Sequence, residues 1–327
     1  MKLLIAVYHR FELWQMPPWF SERLRREFPQ LEVVHLPNYD RVTDEIADAD
    51  IAISWSLRGE QIKVARKLRW IHSTAAAVHQ LMTPELLASD ILVTNARDVH
   101  GPVVAEHAMA LTFALAKRLP QAVKHQQQKH WAQHDLWNKE SRPRELSGAT
   151  MAIVGLGGIG RPLVKLAKSA GMRVIGVREH PERGNEGADV VLGFGELDRA
   201  LREADFVVLA APVTPRTHQL MNAERLAQLK SDAYLINVGR GVLIDEGALV
   251  EALHASRFGG AALDVTTEEP LPAKSPLWDM ENVFITPHIA GLTEKMWERH
   301  YAHYTENLRR YLAGEPLLWV VDKQRGY

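Results

Sequence analysis

Cysteine is absent from the 327-residue chain, which excludes disulfides, thiol catalysis and thiolate metal sites. Net charge is almost absent too. The 39 Lys plus Arg stand against 40 Asp plus Glu, a formal balance of -1, so there is no electrostatic footprint for nucleic acid or an anionic membrane surface. No apolar run approaches the roughly 20 residues needed to cross a bilayer, and the opening MKLLIAVYHRFELW reaches charged residues too soon for a secretory signal. Repeats and low-complexity tracts are missing as well. A chain this long exceeds one ordinary core and fits two domains, and a cytoplasmic protein is the expectation.

What is present is organised around ATMAIVGLGGIGRPLVKLAKSAGMRVIGV, from Ala149 to Val177. An apolar β-branched run, a glycine turn, a segment of helical period and a second apolar run make a βαβ unit. Gly155, Gly157 and Gly160 fall as G-x-G-x-x-G. At that spacing the first glycine permits a tight turn, the second lets backbone approach a pyrophosphate, and the third lets helix and strand pack closely. The phosphates are expected at the N-terminus of a helix beginning near Gly158, where unpaired N–H groups and the positive dipole end converge. Gly155, Gly157, Gly158, Ile159 and Gly160 are therefore the cofactor-binding candidates of this loop. At the end of the second strand, where an acidic residue usually holds the ribose hydroxyls, stands Arg178. A guanidinium there suits a 2′-phosphate and points to NADP, with His180 and Arg183 able to add charge. The alternative is a solvent-facing Arg178 with Glu179 taking the ribose, which leaves NAD possible.

The rest of the chain alternates in the same rhythm. LLIAVY, LEVVHL, ADIAISW, LRWIHST and DILVTN read as strands, with helices near 18–28, 59–67 and 83–89. VVAEHAMALTFALAKR, 103–118, is a buried helix of high propensity placed between two domains. Residues 120–147 read as an exposed helix and an arm; His130 and His134 there have metal-ligand spacing on a helix, against the plainer reading of a hydrated surface pair. After the glycine unit, ADVVL, DFVVLAAP, AYLINVG, GGAALDV and NVFITP are strand-like, with helices near 196–203, 223–229 and 246–255. A final amphipathic helix over 293–312 is expected to return to the first domain. The expected fold class is α/β, with two doubly wound parallel sheets. A Rossmann cofactor domain, 99–288, is inserted into a discontinuous flavodoxin-like substrate domain made of 1–98 and 289–327.

Ligands of such sheets bind beyond the carboxyl ends of the strands. Arg240, between glycines after YLINV, is suited to clamping a carboxylate, although it can equally be a phosphate contact or a surface ion pair. His288, after Thr-Pro at the end of FITP, can exchange a proton with a carbonyl, or be a hydrogen-bonded core histidine. Glu269 can pair with His288 and hold the imidazolium ready as acid, or be an exposed loop carboxylate beside Glu268. Their appearance after successive strands of a nucleotide fold favours the functional readings.

VGLGGIGRPLVKLAKSAGMRV, the Pro-Val-Thr-Pro-Arg-Thr turn, NVGRG, ALDV followed by Glu-Pro-Leu, and TPHIAG, in this order, resemble the D-isomer-specific 2-hydroxyacid dehydrogenases. NARDVHGPVVAEHAMA is similar to that family's link between domains. The resemblance implies hydride transfer between a nicotinamide cofactor and a small 2-oxo acid, giving the D-2-hydroxy acid. It assigns Arg240 to the substrate carboxylate and carbonyl, Glu269 as orienting partner, His288 as general acid/base and Asp264 to the nicotinamide carboxamide. Pro212, Thr217 and Val238, in the matching turns, join the cofactor-binding candidates. Ser73 to Val78 stands where the family has a glycine-rich loop offering N–H groups to the substrate, which makes Ala76 and Ala77 substrate-binding candidates in a narrowed pocket. Trp55 and Leu57 are further candidate lining residues. Arg178 and the ending VVDKQRGY resemble the glyoxylate/hydroxypyruvate reductase branch. The rival expectation is a nucleotide-sensing, corepressor-like interaction protein on the same fold. A homodimer is implied by the resemblance and by the apolar 103–118 helix and the tryptophans Trp131 and Trp137.

Overall fold

The computed structural model describes residues 1–9, 11–137 and 142–324. Arg325, Gly326 and Tyr327 of the VVDKQRGY ending lie outside the described residues. The chain divides into two compact units, Met1–His100 with Thr293–Tyr327, and Gly101–Leu292. The division falls a few residues later than the sequence boundary. Gly101 already belongs to the second unit because an added Cβ there would lie 2.2 Å from the Gly158 carbonyl oxygen. The 286–290 loop belongs there because it is tied to Asp264, as described below.

The first unit runs β1 (Lys2–Ala6), α1 (Pro18–Glu27), β2 (Glu32–His35), α2 (Val42–Ile46), β3 (Ile51–Ser54), α3 (Gly59–Val64), β4 (Trp70–Ser73), α4 (Pro84–Leu87) and β5 (Leu92–Asn95). Its sheet is wholly parallel in the order β2-β1-β3-β4-β5. The α2 turn is absent from the sequence expectation, because five residues are too few for a helical period to show.

The second unit contains α5 (Gly101–Ala116), α6 (Leu119–Gln127), α7 (Gln133–Leu136), β6 (Thr150–Val154), α8 (Gly160–Ser169), β7 (Arg173–Val177), β8 (Val190–Leu192), α9 (Leu197–Glu203), β9 (Phe206–Leu209), α10 (Ala223–Leu226), β10 (Tyr234–Asn237), α11 (Glu246–His254), β11 (Gly260–Leu263) and β12 (Val283–Ile285). Its parallel sheet has the order β12-β11-β10-β9-β6-β7-β8. Helix α12 (Met296–Ala313) then packs in the first unit, as expected of the final amphipathic segment.

The near-continuous apolar strands follow from burial on both faces. In β6, Met151 and Ile153 join one core with α5 and α8, while Ala152 and Val154 join the other with α9 and α11. In β1, Leu3 and Ile5 pack with α1 and α12, and Leu4 and Ala6 face the opposite core. Helix α5 buries Val104, Ala105, Ala108, Leu111 and Leu115 within its own unit, so its apolar character is largely satisfied inside the subunit. The tryptophans of the arm are exposed, Trp131 at 89% and Trp137 at 62%. His130 precedes α7 and His134 lies within it, so the two do not share a helix face; His130 instead pairs with Asp135 at 3.2 Å. Among the described residues no group of His, Cys, Asp and Glu is arranged to hold a metal ion, and no helix is long and apolar enough to cross a membrane.

Helix α12 carries a histidine cluster into the first core. His72 on β4 lies beside His303 and Tyr304, whose ring stacks on Trp70, and His300 packs against His100. Burial pushes the imidazoles of His72 and His300 well below the usual histidine value, and that of His303 down to about 4. These rings are neutral in the folded unit. The unfolded chain takes up protons that the folded unit excludes, so the stabilisation is complete above the ordinary imidazole value of 6.5 and is lost as pH falls towards about 4. The urea midpoint should fall between pH 7 and pH 5. His72→Asn, which keeps a polar partner for Thr94 without titrating, should reduce that dependence by up to about 1.4 kcal/mol per pH unit; an unchanged slope would remove His72 from the linkage.

Candidate active site

The sheet order of the second unit reverses direction between β6 and β9, the switch point at which such sheets bind ligands. The glycine turn leaves β6 there. Gly155 has φ +105°, and a Cβ on it would stand 2.8 Å from the backbone of Ala210, at the end of β9. A Cβ on Gly160 would lie 2.0 Å from the Gly155 oxygen. Both glycines are therefore required by the chain itself. Gly157 differs: a Cβ there meets nothing of the protein within 4 Å, so its lack of a side chain serves no internal contact. Backbone left accessible beside the start of α8 fits a dinucleotide pyrophosphate. The helix begins at Gly160 with Ile159 as N-cap, slightly later than the expected start near Gly158, because 157–159 complete the turn first.

Arg178 follows β7, its side chain only 18% exposed, with Nη1 at 3.5 Å from both the Gly184 oxygen and Glu186. Glu179, the alternative ribose ligand, is engaged by Arg216 at 2.8 Å. Arg216 belongs to the turn after β9, so two strand ends bring cations to the region beyond β7. In the same turn the Thr217 hydroxyl accepts from the Thr214 amide at 2.8 Å and donates to the Pro212 carbonyl at 2.6 Å. It thus shapes the turn from within, leaving Pro212 exposed at the surface. Val238 is buried, its amide held by the Leu209 carbonyl.

The ends of β10, β11 and β12 converge. After β10, the Asn237 side chain accepts from the Gly239 amide and donates to the Arg240 carbonyl, bending the chain into a tight turn. The exposed Arg240 guanidinium contacts its own turn, Nη1 to the Gly239 oxygen at 2.7 Å. A Cβ on Gly241 would lie 2.0 Å from the Thr266 carbonyl carbon, so glycine is what lets the Arg240 turn lie on the β11 loop. There the Thr266 amide donates to Glu269 Oε1 at 3.1 Å. The other oxygen, Oε2, is 2.6 Å from His288 Nδ1. Glu269 thereby fixes one ring nitrogen and leaves Nε2 for other chemistry. The adjoining Glu269–Pro270 peptide is cis.

His288 adopts φ +53°, a left-handed conformation uncommon outside glycine. Its amide donates to the carbonyls of Asp264 and Thr286, both at 2.9 Å. Asp264, 2% exposed, accepts from the Thr286 hydroxyl at 2.6 Å and from the amides of Ile289 and Ala290 at 3.0 Å. His107 of α5 approaches the same carboxylate at 3.4 Å. Burial opposes ionisation of Asp264, but these donors outweigh it and hold the carboxyl below the usual carboxylate range. Sequence reasoning named Arg240, Glu269, His288 and Asp264. It missed Asn237, Thr286, His107 and Arg216, whose parts depend on partners distant in the chain.

In the first unit, Ala76 is exposed and its carbonyl accepts from the Asn95 side chain at 2.7 Å; Ala77 is half-buried. Trp55 donates from its indole to the Tyr39 hydroxyl at 2.5 Å and packs edge-on to His9, while Leu57 is buried in the core.

The sheet order and the glycine turn define a doubly wound dinucleotide-binding protein. The chain belongs to the D-isomer specific 2-hydroxyacid dehydrogenase family, whose NAD binding domain matches residues 109–290. It is 33% identical to a D-3-phosphoglycerate dehydrogenase of Methanocaldococcus jannaschii over 92% of this chain and 57% of that protein, so it spans little more than half of that relative. It is 31% identical to a glyoxylate reductase of Pyrococcus furiosus, with 96% of this chain and 90% of that one covered. A D-isomer specific 2-hydroxyacid dehydrogenase from Xanthobacter autotrophicus Py2, solved in complex with NADPH and MES, superposes with a TM-score of 0.83 at 30% identity, covering 100% of this chain and 99% of that chain.

The glycine geometry separates fold from binding. Gly157→Val should leave the melting temperature unchanged while weakening NADPH binding by at least about tenfold, ~1.4 kcal/mol, as read by fluorescence titration. Gly155→Ala should destabilise the fold itself by about 1–3 kcal/mol. Equal loss of stability in both variants would refute the distinction.

Proposed function

We propose that the protein is an NAD(P)-dependent reductase of a small 2-oxo acid of the glyoxylate or hydroxypyruvate kind, forming the D-2-hydroxy acid. The observation that carries this reading is the His288–Glu269 pair, 2.6 Å apart, on the loops that follow two neighbouring strands of the dinucleotide-binding sheet. Bound at the switch point, the nicotinamide cofactor supplies the hydride. The loop of Gly155, Gly157, Gly158, Ile159 and Gly160 holds its pyrophosphate, with Pro212, Thr217 and Val238 shaping the neighbouring turns. Arg178 takes the 2′-phosphate of NADP; the engagement of Glu179 by Arg216 and the NADPH in the Xanthobacter relative support NADP over NAD. Asp264 holds the surrounding loop and faces the carboxamide end.

Arg240 binds the substrate carboxylate and polarises the carbonyl; Ala76 and Ala77, in the first unit, are the further substrate-binding candidates. His288 donates the Nε2 proton to the carbonyl oxygen as the hydride arrives, and takes it back in the reverse direction. Glu269 holds Nδ1, fixing the ring and stabilising the imidazolium. The likeness to the Pyrococcus glyoxylate reductase supports the small substrate, and the exposed Trp131 and Trp137 support a homodimer with the arm at its interface.

Purified protein should oxidise NADPH on addition of glyoxylate or hydroxypyruvate. His288→Asn should lower kcat by about 10² to 10⁴, and Arg178→Ala should raise KM for NADPH while leaving that for NADH unchanged. No turnover with any small 2-oxo acid would reject the reading, and full activity of His288→Asn would reject its mechanism.

A further inference from the structure

His107 lies in α5, a helix whose buried residues are mostly core hydrophobics. Its Nε2 is 3.1 Å from the Thr286 hydroxyl oxygen and 3.4 Å from Asp264 Oδ1. The hydrogens can be assigned from the acceptors. Asp264 is ionised and accepts only, so the Thr286 hydroxyl must donate to it across their 2.6 Å contact. The Thr286 oxygen then has only lone pairs left for His107, so Nε2 carries the hydrogen. His107 thus donates from Nε2 to Thr286, with the Asp264 carboxylate 3.4 Å from the same nitrogen.

The consequence lies one step away, at His288. Successive amides of 288, 289 and 290 all end on Asp264, the first on its carbonyl and the other two on its carboxylate. These bonds hold His288 in the left-handed conformation that directs Nδ1 to Glu269. A buried carboxylate keeps such a set of acceptors aligned only while its remaining lone pairs are satisfied. His107, from a helix outside the loop, fixes the Thr286 hydroxyl that donates to Asp264 and brings its own Nε2 to 3.4 Å from the carboxylate.

We propose that His107 is a positioning residue for the reaction: its Nε2–H, with Thr286, orients the Asp264 carboxylate, and through it the backbone of the His288 loop. This rests on the proposed reductase reading for its kinetic arm, but the loop geometry is testable without turnover.

The test compares His107→Gln, whose amide nitrogen can replace Nε2–H, with His107→Ala, which removes the donor. In His107→Ala, kcat for NADPH-dependent reduction should fall between about ten- and a hundredfold, the scale of a misplaced acid, with KM for the 2-oxo acid unchanged because Arg240 is untouched. His107→Gln should recover most of the loss. In the protein without cofactor or substrate, hydrogen exchange of 288–290 should accelerate in His107→Ala and return towards the parent rate in His107→Gln. Parent-like kcat and exchange in His107→Ala would overturn the proposal, as would a Gln variant that exchanges as fast as the Ala variant. If the parent protein reduces no 2-oxo acid, the reductase reading fails and the exchange comparison alone decides this one.

Discussion

A carboxylate with almost no contact with water must be matched by donors whose positions are fixed, since each missing partner leaves a desolvated charge. Asp264 meets that demand with groups drawn from the end of β12 and from α5, and its own amide donates to the Asn237 carbonyl at the end of β10. The charge therefore does more than occupy a site. Through its carboxylate and its own amide, Asp264 ties the ends of three neighbouring strands into one arrangement. From Asn237 the contacts run to the Arg240 turn, from Gly241 to Thr266, from the Thr266 amide to Glu269, and from Glu269 to His288, whose amide returns to Asp264. This closed circuit holds an exposed imidazole, carboxylate and guanidinium on backbone that is itself held by buried bonds. Chemistry sited on loops gains its geometry from such support.

The two sheets were legible because parallel strands covered on both faces produce apolar runs that few other structures require, and because turns, helices and strands alternate at a regular interval. The glycine loop was legible for a related reason: its residue types are dictated by close approach. The spacing assigned the first and third glycines to the turn and the packing, and the second to the pyrophosphate. A Cβ on Gly155 or Gly160 would meet backbone, whereas one on Gly157 would meet nothing of the chain within 4 Å, which matches those parts.

Arg240, Glu269 and His288 could be picked out because a charged or titratable residue at the end of an apolar strand is conspicuous. His107 could not. It sits inside a helical pattern, 179 residues from Thr286, and a histidine there has the same local signature as one that merely fills space. Asn237 ends its strand as an unremarkable polar residue, and Arg216 lies in a turn rich in polar neighbours. Their parts are defined by what lies opposite, and a pattern read along one dimension carries no register between β9 and the loop after β7, or between α5 and β12. For His130 and His134 the plainer reading of a surface pair was preferred to a shared helix face; spacing implies a face only if the helix includes both residues, and α7 begins between them.

The alanines at 75–77 show how the same physics gives latitude to one part of a fold and denies it to another. Where Gly241 stands, a methyl group would meet the Thr266 backbone at 2.0 Å, so that position admits no variation without moving the Arg240 turn. The loop after β4 is under no comparable constraint. It is held by its carbonyls, Ala76 to the Asn95 side chain and Ala75 to the Ala96 amide, and Asn95 is itself anchored by its amide to the Trp319 carbonyl of the C-terminal segment. Backbone anchoring of that kind leaves the side chains free to change while the loop keeps its path. The side chains of that loop can vary without moving its backbone, whereas the loops after β10 and β11 are held where Gly241 lies against Thr266, with no room for a larger residue.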